Sequence, residues 1–360
     1  MVILVTGGAG FIGSFVVEQL CDLGHEVRVL DRLHPGAHDG IPDHLDPRVD
    51  WHWGDCCDDR ALARVLDGVD AVCHQAAMVG LGVDLGDAPG YVRDNDLGTA
   101  VLLAALHERD FRGRLVVASS MVVYGEGRYR CPTHGVVQPA PRTRADLDAR
   151  RWEPPCPACG ASLDPEAIDE TSAPDPRNVY AATKLHQEHL CAAYGREHHA
   201  VVVALRYHNV YGPRMPRDTP YAGVASIFRS ALEAGRAPLV FEDGGQLRDF
   251  VHVVDVARAN VAALTFDEVR FGAYNVASGQ RHTILEMARA IGAGHPGAVR
   301  EPEVVPRYRL GDVRHVFGAT EAARRDLGFE AEIGFERGMR AFATAPLRHP
   351  RGHAAPYPVT

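Results

Sequence analysis

Met1-Val2-Ile3-Leu4-Val5-Thr6-Gly7-Gly8-Ala9-Gly10-Phe11-Ile12-Gly13 opens the chain. Met1 to Val5 is a short apolar run rich in β-branched residues and predicts a strand, and from Ser14 to Leu23 the residues Phe15, Val16, Leu20 and Leu23 recur at helical spacing. Strand, glycine turn and helix form the setting in which such a turn holds a dinucleotide. Gly7 and Gly8 permit the tight turn, Gly10 lets the backbone approach a pyrophosphate beside Phe11 and Ile12, and Gly13 allows close helix packing, with the helix N-terminus toward the anion. Glu26-Val27-Arg28-Val29-Leu30 reads as a second strand ending at Asp31, eighteen residues after Gly13. A carboxylate there accepts both ribose hydroxyls and repels a 2′-phosphate, which points to NAD over NADP. Arg32 next to it is the feature that argues the other way.

A second signal lies in Asn178-Val179-Tyr180-Ala181-Ala182-Thr183-Lys184, which contains the only lysine among 38 basic residues. Residues i and i+4 share one face of a helix, so Tyr180 and Lys184 are expected side by side. An ammonium beside a phenol favours the phenolate and makes the tyrosine a usable base nearer neutral pH. The pair alone does not establish a base. It needs a cofactor site, which the amino-terminal segment supplies.

Further segments follow in order: Gly54-Asp55-Cys56, His74-Gln75-Ala76-Ala77, Asn95-Asp96-Leu97-Gly98-Thr99, Ser119-Ser120-Met121-Val122-Val123-Tyr124-Gly125 and Arg206-Tyr207-His208-Asn209-Val210-Tyr211-Gly212-Pro213. With the glycine turn and the Tyr-Lys pair, they resemble the extended short-chain dehydrogenase/reductase family in its nucleotide-sugar epimerase and dehydratase branch. The resemblance covers nearly the whole chain. It implies an α/β fold: a Rossmann-like, doubly wound parallel sheet with helices on both faces and a smaller C-terminal substrate-binding α/β domain. Expected bounds are residues 1–125, 171–212 and 246–270 for the NAD-binding part and 213–245 and 271–347 for the substrate-binding part.

Residue by residue, the resemblance implies that Asp55 and Cys56 hold the adenine, that Ala76 and Ala77 let the backbone pass along the cofactor, and that Asn95 belongs to the cofactor site. His74 reads as a structural histidine. Ser120 takes the place of the catalytic Ser/Thr, Tyr180 that of the base, and Lys184 that of its activator and ribose ligand. For the substrate, the resemblance implies Asn209 on the sugar-nucleotide phosphate, Val240 and Phe241 covering the base, and Arg248 with Arg309 or Arg314 on the pyrophosphate. Arginine suits that work because its planar fork donates two hydrogen bonds to phosphate oxygens. Relatives also pair as homodimers through the Tyr-Lys helix and the one that begins near Asn95.

Similar 4,6-dehydratases carry an Asp-Glu pair directly after the catalytic Ser/Thr, where this chain has Met121 and Val122. Neither moves protons, so elimination of water is not expected. The remaining reading is a nucleotide-sugar 4-epimerase acting on a dTDP- or UDP-hexose. Tightly bound NAD would oxidise C4 transiently to a 4-keto sugar, and reduction on the opposite face would invert the centre. The Ser-Ser-Met turn and the segment from Glu242 to Phe250 resemble the branch that includes dTDP-L-rhamnose 4-epimerases, and Val316 falls near a position that limits the C2 substituent in related enzymes. A 4-ketoreductase or dehydrogenase, a 4,6-dehydratase and a non-catalytic NAD sensor are the competing readings.

Between Tyr124 and Tyr180 lie 55 residues, more than the resemblance requires. This inserted region, 126–170, carries Cys131-Pro132-Thr133-His134-Gly135 and Cys156-Pro157-Ala158-Cys159-Gly160. Each is a pair of soft ligands two residues apart ending in glycine, the pattern of a zinc knuckle, and Cys131, His134, Cys156 and Cys159 would complete a closed structural zinc site. A disordered proline-rich loop with incidental cysteines, and a disulfide, which a cytoplasmic setting disfavours, are the competing readings.

A net charge of −9 provides no broad basic surface for nucleic acid. The chain has no run of eighteen apolar residues, so no membrane span is expected and cytoplasm is the default location. Residues 348–360 read as a flexible tail.

Overall fold

The alternation within Val2–Thr6 decides the layering. Ile3 and Val5 pack on one face of a sheet and Leu4 on the other, and all three are fully buried, so this strand is covered on both sides. The computed structural model describes residues 1–80, 84–217, 223–266, 269–297 and 300–348. Seven parallel strands form the sheet: β1 (Val2–Thr6), β2 (Glu26–Asp31), β3 (Asp50–Trp53), β4 (Ala71–His74), β5 (Arg114–Ser120), β6 (Val201–Tyr207) and β7 (Gly272–Val276). Their order is β7-β6-β5-β4-β1-β2-β3, and the strand order reverses between β1 and β4. A ligand crevice opens at such a reversal, outside the carboxyl ends of the strands.

Helices α1 (Phe11–Asp22) and α5 (Val253–Thr265) pack together over Ile3 and Val5, burying Val16, Val17, Leu20, Val256 and Ala257. Helices α2 (Asp59–Val65), α3 (Gly98–His107) and α4 (Val179–His198) cover Leu4, Val72 and Leu115 on the opposite face with Leu62, Leu102, Leu106 and Cys191. Each large aliphatic side chain so buried contributes about 1.5–3 kcal/mol. Two glycines make the β1–α1 junction possible. Gly7 has φ +69°, and a Cβ on Gly13 would stand 2.3 Å from Gly7 O.

A smaller second sheet joins Asn209–Tyr211, Leu247–His252, Arg281–Thr283 and His315–Val316. Helices Val224–Glu233, Ile284–Gly294 and Phe335–Phe342 enclose its core around Phe228, Met287, Ile291 and Met339. Two expected boundaries shift. Residues Leu247–His252 leave the parallel sheet for the second one, and Gly272–Val276, assigned in advance to the substrate part, is the outermost strand of the parallel sheet because it pairs with β6. The inserted region forms its own antiparallel sheet of Gly135–Val137, Arg128–Cys131 and Asp164–Glu166.

Of the expected tail, 348–360, only Arg348 is described, and it is bound to the fold. Arg348 forms a parallel bridge with Pro216, and its N–H donates to Met215 O (3.1 Å), while residues 349–360 lie outside the described residues. No described helix is long and apolar enough to cross a membrane.

His74 ends β4 fully buried between the hydroxyls of Thr6 (2.7 Å) and Thr99 (3.0 Å), a structural role as expected. Burial, with help from the Lys184 charge, lowers its pKa to about 3. The folded chain therefore binds fewer protons than the unfolded chain between about pH 3 and 6.5, so the neutral ring's stabilisation is present above 6.5 and is lost as pH falls. Thermal unfolding of the ligand-free protein should show stability declining below pH 6.5 by up to about 1.4 kcal/mol per pH unit from this group. His74→Asn, less stable at neutral pH, should lose that part of the slope; an unchanged slope would assign the effect elsewhere.

Candidate active site

At the carboxyl ends of β1 and β4 a cleft of about 470 Å³ runs from the glycine turn to the second sheet. Helix α1 starts at Gly10 with no side-chain cap, so its N-terminal N–H groups remain for an anion. A Cβ on Gly7 would meet the Ala76 backbone at 2.7 Å, which keeps this corner open only to glycine. Phe11, Ile12, Asp55, Cys56, Ala76 and Ala77 line the same space. Burial pushes the Cys56 thiol up to about 12, making it a wall and not a nucleophile.

Asp31 stands at the end of β2 and accepts the N–H of Ala9 (3.0 Å) and of Leu33 (2.8 Å). Arg32, the residue that argued for a 2′-phosphate, is turned to other carboxylates: it reaches Asp55 at 3.0 Å and grips Asp94 through both terminal nitrogens at 2.9 and 2.5 Å. A presented aspartate with its neighbouring arginine neutralised fits a ribose with free 2′- and 3′-hydroxyls. The residues present fit NAD on these grounds, together with the glycine cradle.

Helix α4 begins at Asn178, whose side chain accepts the Ala181 N–H (2.9 Å). It lays Tyr180 and Lys184 against β5, where Ser120 ends the strand. Ser120, Tyr180 and Lys184 all line the cleft, with Ser120 close enough to the phenol to favour its charged form. Ser119 is committed elsewhere: it donates to Glu188, which also pairs with Arg206 at 2.8 Å. Met121 and Val122 begin the 3₁₀ turn after Ser120 and face the cleft with no titratable atom.

The electrostatics of the pair differ from expectation. Lys184 Nζ donates to Ala118 O at 2.8 Å, and burial lowers its pKa to about 7. Burial raises the Tyr180 phenol to about 12, with the Ser120 hydrogen bond opposing it. Desolvation thus outweighs the Ser120 contribution, Lys184 is not among the causes acting on the phenol, and Tyr180 is shifted up where the i, i+4 spacing suggested down. One hydrogen bond of the ammonium's three donors is made to protein among the described residues, so Lys184 keeps donors at the cleft it lines.

Farther along, Tyr207, His208, Asn209, Met215, Val224 and Phe250 complete the wall. Asn209 Oδ1 is buried and has no hydrogen-bond partner among the described residues. Other expected contacts lie away from this cleft. Asn95 is fully buried behind it, its amide bonded to Met78 N (2.7 Å), Met78 O (3.0 Å) and Thr183 Oγ1 (2.9 Å), so it holds the wall and does not form its surface. Arg248 donates to the carbonyls of Leu247 (2.8 Å), Arg314 (2.9 Å) and Val313 (2.7 Å). Arg314 is enclosed by Glu153, Glu242 and Asp243 at 2.7–3.0 Å. Val240 is buried in the second core, and Phe241 lies under the Arg309 guanidinium at 5.6 Å.

Arg348 was not foreseen. Its guanidinium lines the cleft and donates to Gly10 O at 3.0 Å, facing His44 Nε2 at 3.1 Å. No local signal marks it, because it lies 338 residues from its partner in the chain.

The pattern of the NAD dependent epimerase/dehydratase family matches residues 3–144 and 157–277, and the break falls inside the insertion. A dTDP-L-rhamnose 4-epimerase from Burkholderia thailandensis is 36% identical over 348 residues, covering 95% of this chain and 94% of its own. A UDP-glucose 4-epimerase from Halalkalibacterium halodurans is 30% identical over 353 residues, covering 92% and 90%. Among solved structures, the UDP-glucose 4-epimerase of Thermus thermophilus in complex with NAD superposes with a TM-score of 0.75 at 32% identity, covering 95% of this chain and 98% of that one. With the glycine turn, Asp31 and the Ser-Tyr-Lys group assembled at one cleft, this chain belongs to the NAD dependent epimerase/dehydratase family.

Proposed function

We propose that the protein is a nucleotide-sugar 4-epimerase acting on a dTDP- or UDP-hexose. The observation that carries this reading is that Ser120, Tyr180 and Lys184 line one cleft, with the aprotic Met121 and Val122 directly after Ser120 on the same wall. Bound NAD supplies a reversible two-electron oxidant at C4. Tyr180 takes the proton of the C4 hydroxyl, Ser120 bonds the same oxygen and relays that proton, and Lys184 holds a ribose while its charge favours the phenolate. The sugar passes through a 4-keto intermediate, and its turning in the cleft before reduction inverts C4. Elimination across C5 and C6 lacks a proton carrier, because Met121 and Val122 occupy the places where one would stand. Asn209, with its free acceptor, reads as a contact to the sugar nucleotide.

The deciding test is proton NMR of the purified protein, without added cofactor, on dTDP-L-rhamnose, dTDP-glucose, UDP-glucose, UDP-glucuronic acid and UDP-N-acetylglucosamine. A new anomeric signal from a C4 epimer is expected with at least one of them. Stoichiometric consumption of added NAD or NADH with a keto sugar would instead make the protein a dehydrogenase or reductase. Tyr180→Phe should lower the rate by about 10²–10⁴-fold and Ser120→Ala by about 10²-fold, both with NAD retained; normal turnover by Tyr180→Phe would overturn the mechanism. Arg348→Ala, which removes a cation from the Gly10 turn, should weaken NAD retention about tenfold or more, read as NAD per chain after gel filtration.

We also read the exposed Val92 and Leu97, on the helix around Asn95, as part of a homodimer face. Light scattering should return twice the chain mass, and a monomer would remove this reading. None of the eight cysteines is in a disulfide, in keeping with a cytoplasmic setting.

A further inference from the structure

The insertion has too little apolar substance to hold itself together. Its buried cluster consists of Tyr129, Cys131, Cys156 and Leu163, two of which are thiols. Yet it presents two ordered turns toward one another. Cys131 closes the strand Arg128–Cys131, and the chain returns through Gly135 at φ +69°. In the second turn Gly160 N donates to Cys156 O and Cys156 N to Ala161 O, each at 2.8 Å, with Gly160 at φ +71°.

One side-chain atom from each of Cys131, His134, Cys156 and Cys159 lies within 4.8 Å of the other three. The individual separations are Cys131 Sγ to His134 Nδ1 3.5 Å, Cys131 Sγ to Cys159 Sγ 3.7 Å and Cys156 Sγ to His134 Nδ1 3.7 Å. A tetrahedral zinc with Zn–S of ~2.3 Å and Zn–N of ~2.0–2.1 Å requires edges of roughly 3.7–3.8 Å between sulfurs and roughly 3.5–3.6 Å between sulfur and nitrogen. A disulfide between Cys131 and Cys159 needs ~2.05 Å, and it would leave Cys156 and His134 facing it without a partner.

We propose that these four residues bind one zinc ion in a closed structural site, and that the ion clamps the insertion onto the second domain. Three thiolates and an imidazole fill all four positions, so the site has no place for substrate and stands apart from the sugar chemistry. The clamp acts through residues close to the ligands in sequence. Glu153, three residues before Cys156, binds Arg314 at 2.7 Å and His315 at 2.8 Å. Arg142, eight residues after His134, reaches Glu242 Oε2 at 2.8 Å and Asp312 O at 2.8 Å, with both side chains of that ion pair 2% exposed. Glu242 also accepts Arg314, so arms from both knuckle turns meet on one buried charge cluster. A buried pair of this kind holds only while its geometry is fixed, which the metal supplies where the small core does not.

The test is metal content of the full-length protein together with limited trypsin digestion. We expect about one zinc per chain as purified, its loss in Cys156→Ser and Cys159→Ser, and its retention in His134→Cys, which keeps four ligands. Cobalt exchanged into the wild type should give the visible bands of a tetrahedral thiolate site. Stripping the metal with a strong chelator should open trypsin cleavage at Arg144, Arg150 and Arg151 while the parallel-sheet domain stays intact. A wild type that carries no zinc and takes up no cobalt, or zinc that persists in a Cys156→Ser/Cys159→Ser double variant, overturns the site. A digestion pattern unchanged by metal removal overturns the clamp.

Discussion

Glu188 lies one helical turn beyond Lys184 and two beyond Tyr180, on the same face of α4. It forms a two-pronged pair with Arg206 of β6 at 2.8 and 3.0 Å and takes the hydroxyl of Ser119 from β5. Arg206 continues to the Tyr124 hydroxyl at 3.0 Å, which donates to Asn275 of β7. One buried carboxylate thus locks the helix of Tyr180 and Lys184 to the strand of Ser120 and ties both to the edge of the sheet. Losing one partner of such a pair costs about 3–5 kcal/mol, because the other charge is left buried. The separation of roles between adjacent serines follows: Ser119 secures the frame, and Ser120 is left for the cleft.

The same logic governs the cofactor end. Asp31 is oriented by two backbone N–H groups, while Arg32 is drawn away by Asp55 and Asp94. The negative charge presented at the end of β2 therefore depends as much on where the neighbouring cation is held as on the carboxylate itself. Arg348 restores positive charge at the glycine turn from the far end of the chain. That places part of the dinucleotide pocket under the control of the segment that closes the second domain.

The insertion changes the charge balance at the opposite end. Arg314 is surrounded by three carboxylates, one of them from the inserted region, and Arg248 is held by backbone carbonyls of the segment that carries Arg314. Both guanidiniums are therefore satisfied within the protein. A ligand phosphate reaching them must compete with these internal partners.

Much of this was legible in the sequence because it depends on local covalent rules. A strand, a turn needing φ > 0 and a helix needing close approach specify glycines at fixed spacing, and i, i+4 spacing puts Tyr180 and Lys184 on one face. The Cys131/His134 and Cys156/Cys159 pairs of the insertion are likewise short-range patterns. What the spacing could not tell was the sign of the Tyr180 shift, since desolvation is set by everything packed around the phenol. Nor could it tell that Gly272–Val276 joins the parallel sheet, that Asn95 stands behind the cleft wall, or that Arg248 and Arg314 find partners inside the protein. The sequence by itself determined the elements and the chemistry available at their ends. Only the tertiary structure decided which charges meet and which side chains are left free for a ligand, because those outcomes depend on contacts between residues far apart in the chain.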